Sequence, residues 1–426
     1  MNPLFEKVAQ YVKTHCTADD YTLRIHSSDS HETRFAQNRV TQHIAGPGAD
    51  ISLEVAFGNK TGSCTVNQAD EATLDYLIKT AEDMAKLNKP DPEHLPSVGM
   101  QELPVVCNCD DATRDLPPAE MVNIVQKAID KAISFGASVS GMTEKHYSES
   151  FRTTKNGFVG SDADTEFAHS MTLKKDAVET KVSYSARDFA GFSLDKEFDR
   201  LLSQAEALKT MQDFDPCKIA VILRPSAIEE LLWFMGWMMS RRQSDEGFTP
   251  FTGMLDKPIF GEKFTWMSTL KHAGLNAGPY NNEGIANQEI TRVENGILKN
   301  MPTNRFWAQK VNSKPMSIYN AYIPGGETTE EEMMQMVPRG LIINRFWYIR
   351  TVDAKAGELT GMTRDGVLYF ENGKVQHAVN NLRFNEIPHL ATQRILALGA
   401  SQLTSAYSSL PTMLIDGFNF VDKTTF

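Results

Sequence analysis

The sequence predicts an α+β protein: two tandem αββββα-like units with antiparallel sheets, followed by a β-rich domain forming a curled sheet or open barrel. Three observations carry this expectation. Apolar and polar residues alternate through Ile51–Phe57 and again from Phe167 to Leu173, the period-two pattern of strands with one buried face. A helix–strands–helix order occurs twice in the first half, at matching offsets. The second half is punctuated by the hairpin signals Asn295-Gly296 and Asn372-Gly373.

The first unit, residues 1–88, opens with Leu4, Val8, Tyr11 and Val12 at helical spacing. Strands are expected at Tyr21–Ile25, through Glu32–Ile44 with a turn at Gln37-Asn38, at Ile51–Phe57, and at Thr61–Val66 after Gly58-Asn59-Lys60. Asp70 then caps a helix with Leu74, Leu77, Ile78, Ala81 and Met84 on one stripe. Residues 89–117 carry Pro90, Pro92, Pro96, Pro104 and Pro117, which interrupt regular structure and mark a linker or a long surface crossing. The second unit, 118–212, repeats the order. A helix places Val122, Val125, Ile129 and Ile133 on one face, strands follow from Val139, and a closing helix carries Phe198, Leu201, Leu202, Ala205 and Leu208. Two unrelated α+β segments with common spacings would give the same pattern, because the match is hydrophobic and not one of identity.

From 213 to 426 the expected domain is β-rich. Lys218–Leu223 reads as a strand, and Ser226 with Glu229 as a capping box for a helix from Ile228 to Met239. That helix is apolar all round, so Trp233, Phe234 and Trp237 are expected in a core. Short strands are expected at Phe264–Met267, Ile290–Val293 and Ile318–Tyr322. Thr328 and Thr329 cap a short acidic helix, Pro338-Arg339-Gly340 ends it, and Leu341–Arg350 and Val367–Phe370 are strands.

Composition excludes several classes. With 43 Lys plus Arg against 54 Asp plus Glu, the net charge is −11, which opposes a phosphate backbone, so nucleic acid is not an expected partner. Five cysteines without Cys-x-x-Cys encode neither a disulfide framework nor a zinc ribbon, and a reducing cytoplasm is the expected location. No hydrophobic leader is recognised in residues 1–16, and the most apolar run, Leu231–Met239, is about half the ~20 residues of a membrane span, so no membrane is expected.

No catalytic motif emerges. The chain has no His-Glu-x-x-His, no phosphate-binding glycine loop and no nucleophile elbow, so no catalytic residue, metal ligand or cofactor is expected from the residues. Cys107-x-Cys109 lacks two further ligands. Asp245-Glu246, after Arg241-Arg242, reads as the solvated end of a helix, a cleft-lining role being the alternative. Asp353 and Glu358, near Gly357 and Gly361 in the loop behind Leu341–Arg350, are the binding candidates, since loops on a rigid sheet often carry function; turn-forming polarity is the competing reading.

Several stretches resemble one family. Glu32–Val40 is similar to the N-terminal signature of the TldD/PmbA family, and Val293-Glu294-Asn295-Gly296-Ile297-Leu298 resembles a hairpin of its C-terminal domain. Ile323-Pro324-Gly325-Gly326-Glu327-Thr328-Thr329, Arg339-Gly340-Leu341, Ala356-Gly357-Glu358-Leu359, Glu371-Asn372-Gly373-Lys374-Val375 and Pro411–Gly417 resemble its most recognisable C-terminal run. The resemblance implies a metallopeptidase system. A TldD-like subunit binds zinc through His-Glu-x-x-x-His on a helix and a later Cys, and a PmbA-like (TldE-like) subunit pairs with it. Here the corresponding helix offers Glu229, Glu230, Leu231, Leu232, Trp233 and Phe234, and Thr404–Leu410 contains no Cys. The resemblance therefore implies a PmbA-like, metal-free subunit whose partner is a TldD-like metallopeptidase subunit or a second copy, with a peptide substrate. The alternative is a stand-alone peptide-binding scaffold of the same fold.

Overall fold

The computed structural model describes residues 2–176, 178–209 and 211–424. Helix α1 (Pro3–His15) buries Phe5, Val8 and Val12 and is capped by Asn2, with proline in its first turn. Strands β1 (Asp20–Ala36), β2 (Arg39–Phe57) and β3 (Lys60–Val66) follow as an antiparallel meander. Helix α2 (Glu71–Leu87) starts at its expected cap, where the Asp70 carboxylate accepts from Thr73 N at 3.0 Å. The turn falls at Gln37-Asn38, both with positive φ. Each unit has three strands and not four, because β1 and β2 run unbroken for 17 and 19 residues through their polar middles. Alternation is lost there because neither face is packed under helices, so no buried stripe exists to mark the strand.

After the short α3 (Asp111–Arg114), α4 (Pro118–Ser134), β4 (Ser138–Thr154), β5 (Val159–Lys175), β6 (Val178–Ala186) and α5 (Leu194–Leu208) repeat the pattern. The buried stripe of α4 is Met121, Ile124, Val125, Ala128, Ile129 and Ala132, whereas Val122 and Ile133 are exposed. The two units share one six-stranded sheet, ordered β3-β2-β1-β4-β5-β6, because β1 pairs with β4 from Thr22↔Thr154 to Phe35↔Gly141. Separate cores lie at its two ends, one around Leu23, Leu53 and Leu77, the other around Val139, Leu173 and Leu201.

The second half begins with β7 (Lys218–Leu223), α6 (Pro225–Met238) and α7 (Arg241–Asp245). Irregular chain then carries β8 (Trp266–Ser268), β9 (Ile290–Glu294), β10 (Ile297–Leu298), α8 (Arg305–Lys310), β11 (Ala321–Tyr322) and α9 (Glu330–Gln335). Helix α9 opens with a capping box between Thr329 and Glu332. Strands β12 (Arg339–Asp353), β13 (Glu358–Glu371), β14 (Lys374–Val379) and β15 (Leu382–Glu386) lead through α10 (Pro388–Ala391) to β16 (Ile395–Ser405) and β17 (Ser408–Lys423). Strand β17 pairs with both β15 and β7, so β7, β12, β13, β15 and β17 close on themselves as a barrel-like curl. Phe346, Phe384 and Phe418 fill it, with ring centroids 4.6–5.6 Å apart.

Two expectations for α6 are corrected. Its first turn holds Pro225, with Arg224 as N-cap and no side-chain cap bond, so Ser226 and Glu229 form no capping box. Proline supplies a preset φ at the first helical position and lacks an N–H that would otherwise be left without a partner in the first turn. Trp233 and Trp237 do not fill the core: they are 55% and 64% exposed, while Ile228, Leu231, Leu232, Met235 and Met238 are buried. A helix lying on a curled sheet buries about one stripe, and here the aromatic residues occupy the other side.

Candidate functional site

A cleft of about 770 Å³ opens where α5 and β6 face the barrel; Arg200, Gln204, Arg224, Asn344, Arg345 and Asp365 are among its lining. Backbone geometry places its charged groups. Arg224 sits at the end of β7, where its N–H donates to Ile343 O at 3.1 Å, and so it enters the cleft beside β12. Its Nε and Nη2 donate to the two oxygens of Glu330, at 3.0 and 2.8 Å, a bidentate pair at the first residue of α9. Its Nη1 donates to Asn344 Oδ1, and Asn344 Nδ2 in turn donates to Asp365 O at 2.9 Å.

A bulge aims the second pair. The register passes from Ile343↔Val367 to Arg345↔Arg364, so β13 carries an extra residue there, and Asp365 and Gly366 take positive φ of 62° and 99°. Arg345 Nε donates to Asp365 Oδ2 at 2.6 Å, whereas its Nη1 reaches Glu230 Oε1 only at 3.5 Å. Burial pushes the Glu230 carboxyl up to about 7, and the Arg345 charge offsets only part of that. Burial is the largest single influence on the Arg345 guanidinium and lowers it, but the hydrogen bonds and charges of Asp365 and then Glu230 together raise it more, so it ends raised. The two shifts are consistent if Asp365 is the principal partner of Arg345 and Glu230 the lesser one, as the distances indicate.

The zinc set that the resemblance implies for TldD-like subunits would come from this turn of α6 and from the β16 region. Glu229 Oε1 instead accepts from Ser405 Oγ at 2.8 Å, Glu230 is turned to Arg345, and Phe234 has no donor atom. Among the described residues no group of three or more His, Cys, Asp or Glu side chains could hold a metal ion. These residues do not fit a zinc centre, which needs three protein ligands and an open position.

The sequence-derived candidates lie elsewhere. Asp353 ends β12 and its Oδ1 accepts from Lys355 N and Ala356 N at 2.8 and 3.1 Å, holding the hairpin turn. Glu358 opens β13 opposite it, and neither residue lines the cleft. Asp245 pairs with Arg241 and accepts from Trp307 Nε1 at 2.8 Å, tying α7 to α8, and Arg242 joins Glu246 to Glu93 of the linker. Arg224, Glu230, Glu330, Arg345 and Asp365 carry no sequence signal of their own. The bulge that brings two of them together is hinted at only by Asp365-Gly366, a pair suited to left-handed backbone.

A model of the PmbA/TldA metallopeptidase C-terminal domain matches residues 216–422. No curated protein matches the chain by sequence. By structure, TldE from Thermococcus kodakarensis is similar with a TM-score of 0.88 at 15% identity, covering 98% of this chain and 100% of that one. A proposed modulator of a DNA gyrase from Thermotoga maritima gives 0.85 at 17% identity, covering 98% and 99%. Another, from Bacteroides thetaiotaomicron, gives 0.86 at 15%, covering 98% of each chain. At these identities the structures show a shared fold, and the matched domain supplies the family. With that domain recognised over the second half and the fold shared along nearly its whole length, the chain belongs to the TldD/PmbA family.

Proposed function

We propose that this chain is a PmbA/TldE-like, metal-free subunit of a TldD-type metallopeptidase, shaping a shared cavity in which its partner cleaves peptides. One observation carries the reading. On the turn of α6 that corresponds to the metal motif, Glu229 is held by Ser405 and Glu230 faces Arg345, so the protein's own groups occupy that position in place of ligands. The exposed aromatic side of the same helix, Trp233 and Trp237, supports a role at a wall or an interface. The purified chain is expected to contain no stoichiometric zinc and to cleave no peptide. When co-expressed with a subunit bearing His-Glu-x-x-x-His, it is expected to co-purify and to raise peptide cleavage by the pair. Stoichiometric metal in the lone chain, with cleavage abolished by chelator, overturns the proposal. We also propose a binding role for Asp353 and Glu358 at the tip of the β12–β13 hairpin; the D353N/E358Q chain should then bind the partner or a peptide less tightly.

A further inference from the structure

Arg292 is the extra residue of a bulge in β9. The β8–β9 ladder pairs Trp266 with Val293 and Met267 with Thr291, so Arg292 has no residue opposite it. Its backbone oxygen accepts from Lys299 N and Asn300 N, at 2.8 and 3.2 Å. A bulge of this kind re-aims a side chain. Here the guanidinium lies over the Trp266 ring, its carbon 3.6 Å from the centroid, and both residues are only 2% exposed. Burial alone lowers the guanidinium to about 9, with no neighbouring charge contributing. At neutral pH it is therefore a buried cation to which no carboxylate of the described residues gives a counter-charge.

Its donors are short of acceptors as well. Among the described residues the guanidinium's hydrogen bond is to Met239 Sδ, a weak acceptor, at 3.4 Å, and the buried Nε has no partner. Trp266 Nε1, on the ring stacked against it, is a second buried N–H without a partner. The ring face attracts the cation but carries no net charge. Helix α6 crosses this pair at Gly236, where a Cβ would stand 3.6 Å from Trp266 Cη2 and 3.7 and 3.8 Å from Arg292 Nη1 and Nη2. Glycine is unfavourable inside a helix, and here it makes a recess about the size of a methyl group over the guanidinium.

We propose that Arg292 and Trp266 hold a chloride-sized monovalent anion under α6. The charge calls for an anion, since water would accept from the N–H groups yet leave the cation uncompensated in the interior. The setting calls for a small one. The recess is narrow, and its walls are an indole, a thioether and a helix backbone, with no further cation to match a phosphate or a carboxylate. Held there, the ion ties α6 to β8 and β9 and fixes the helix that carries Trp233 and Trp237. The inference stands whether or not the chain has a metallopeptidase partner.

The test melts the full chain in sodium chloride and sodium gluconate at one ionic strength. Raising chloride from about 5 to about 200 mM, with gluconate making up the rest, should raise Tm by about 3 °C, the shift for a site filled at roughly tenfold excess over its Kd. Trp266→Phe keeps the ring but loses the indole donor, and should weaken chloride roughly fivefold to tenfold. Gly236→Ala keeps every donor and favours the helix, and should abolish the chloride dependence by filling the recess. Crystals grown in sodium bromide should show an anomalous peak within hydrogen-bonding reach of Arg292. A Tm indifferent to chloride overturns the proposal, as does an equal chloride response in Gly236→Ala and the unaltered chain, or a bromide crystal with no peak beside Arg292.

Discussion

Glu230→Gln should make the protein more stable at pH 8 and leave it nearly unchanged near pH 4.5. The Glu230 carboxyl is moved from an ordinary 4.5 up to about 7, chiefly by burial, because Arg345 spends its shorter hydrogen bond on Asp365. The folded chain therefore holds this proton more tightly than the unfolded chain. Between about pH 4.5 and 7 it carries the extra proton, so stability falls as pH rises through that window and stays low above it. At roughly 1.4 kcal/mol per pH unit the displacement sets an upper limit near ~3 kcal/mol. The side chain is 31% exposed, and screening by solvent reduces this to about 1–2 kcal/mol. Glutamine keeps an acceptor for Arg345 and cannot ionise, so the cost disappears. Thermal melts of both proteins at pH 4.5 and pH 8 read the difference, and every other titration cancels between them. The expected gain at pH 8 is about 2–6 °C, from the usual relation between stability and Tm in domains of this size. A variant less stable than the original at pH 8 would show that the Arg345 pair outweighs burial, and the reasoning about this cleft would fail.

Other substitutions test the packing. Trp233→Ala and Trp237→Ala should each change unfolding free energy by less than about 1 kcal/mol, against ~3–5 for a core aromatic, since both rings are mostly exposed; denaturant titrations that show core-sized losses would place them inside. Gly340→Ala should cost about 2–3 kcal/mol, because its Cβ would stand 2.4 Å from Phe370 Cζ and 2.7 Å from Ala220 O, and Phe370 is fully buried. A melting temperature unchanged in that variant would mean that β7 and β12 are free to separate. Arg224→Ala should loosen the start of α9, seen as amide exchange at Glu331–Met334 faster by severalfold, because it leaves Glu330 without its bidentate partner; exchange as slow as before would show that the capping box alone holds the helix.

Local chemistry made much of the fold legible, and long-range pairing set the limit. Asp70, the Thr329 capping box and the turns at Asn295-Gly296 and Asn372-Gly373 are settled within a few residues by side-chain bonds or positive φ, so the sequence shows them directly. Ile51–Phe57 was readable because a core lies under one face, while the polar middle of β1 gave no alternation to read. That β1 pairs with β4, merging two units into one sheet, depends on residues more than 100 positions apart and has no local sign. The same limit hid the site. Glu229 resembles a capping residue in sequence because Ser226 stands three positions before it, but the fold brings Ser405 to it instead. Trp233 and Trp237 look like core by composition alone. Only the curl of the sheet decides which side of α6 is covered, and it leaves uncovered the side that continues from Glu230. A helix whose first turns hold fixed carboxylates and whose next turns expose tryptophan is poorly arranged for solvent and well arranged for a surface that another chain completes. On the proposed function, that side of α6 is the one the partner subunit covers, while the cleft, whose lining takes only Pro225 and Ser226 from this helix, lies at its start.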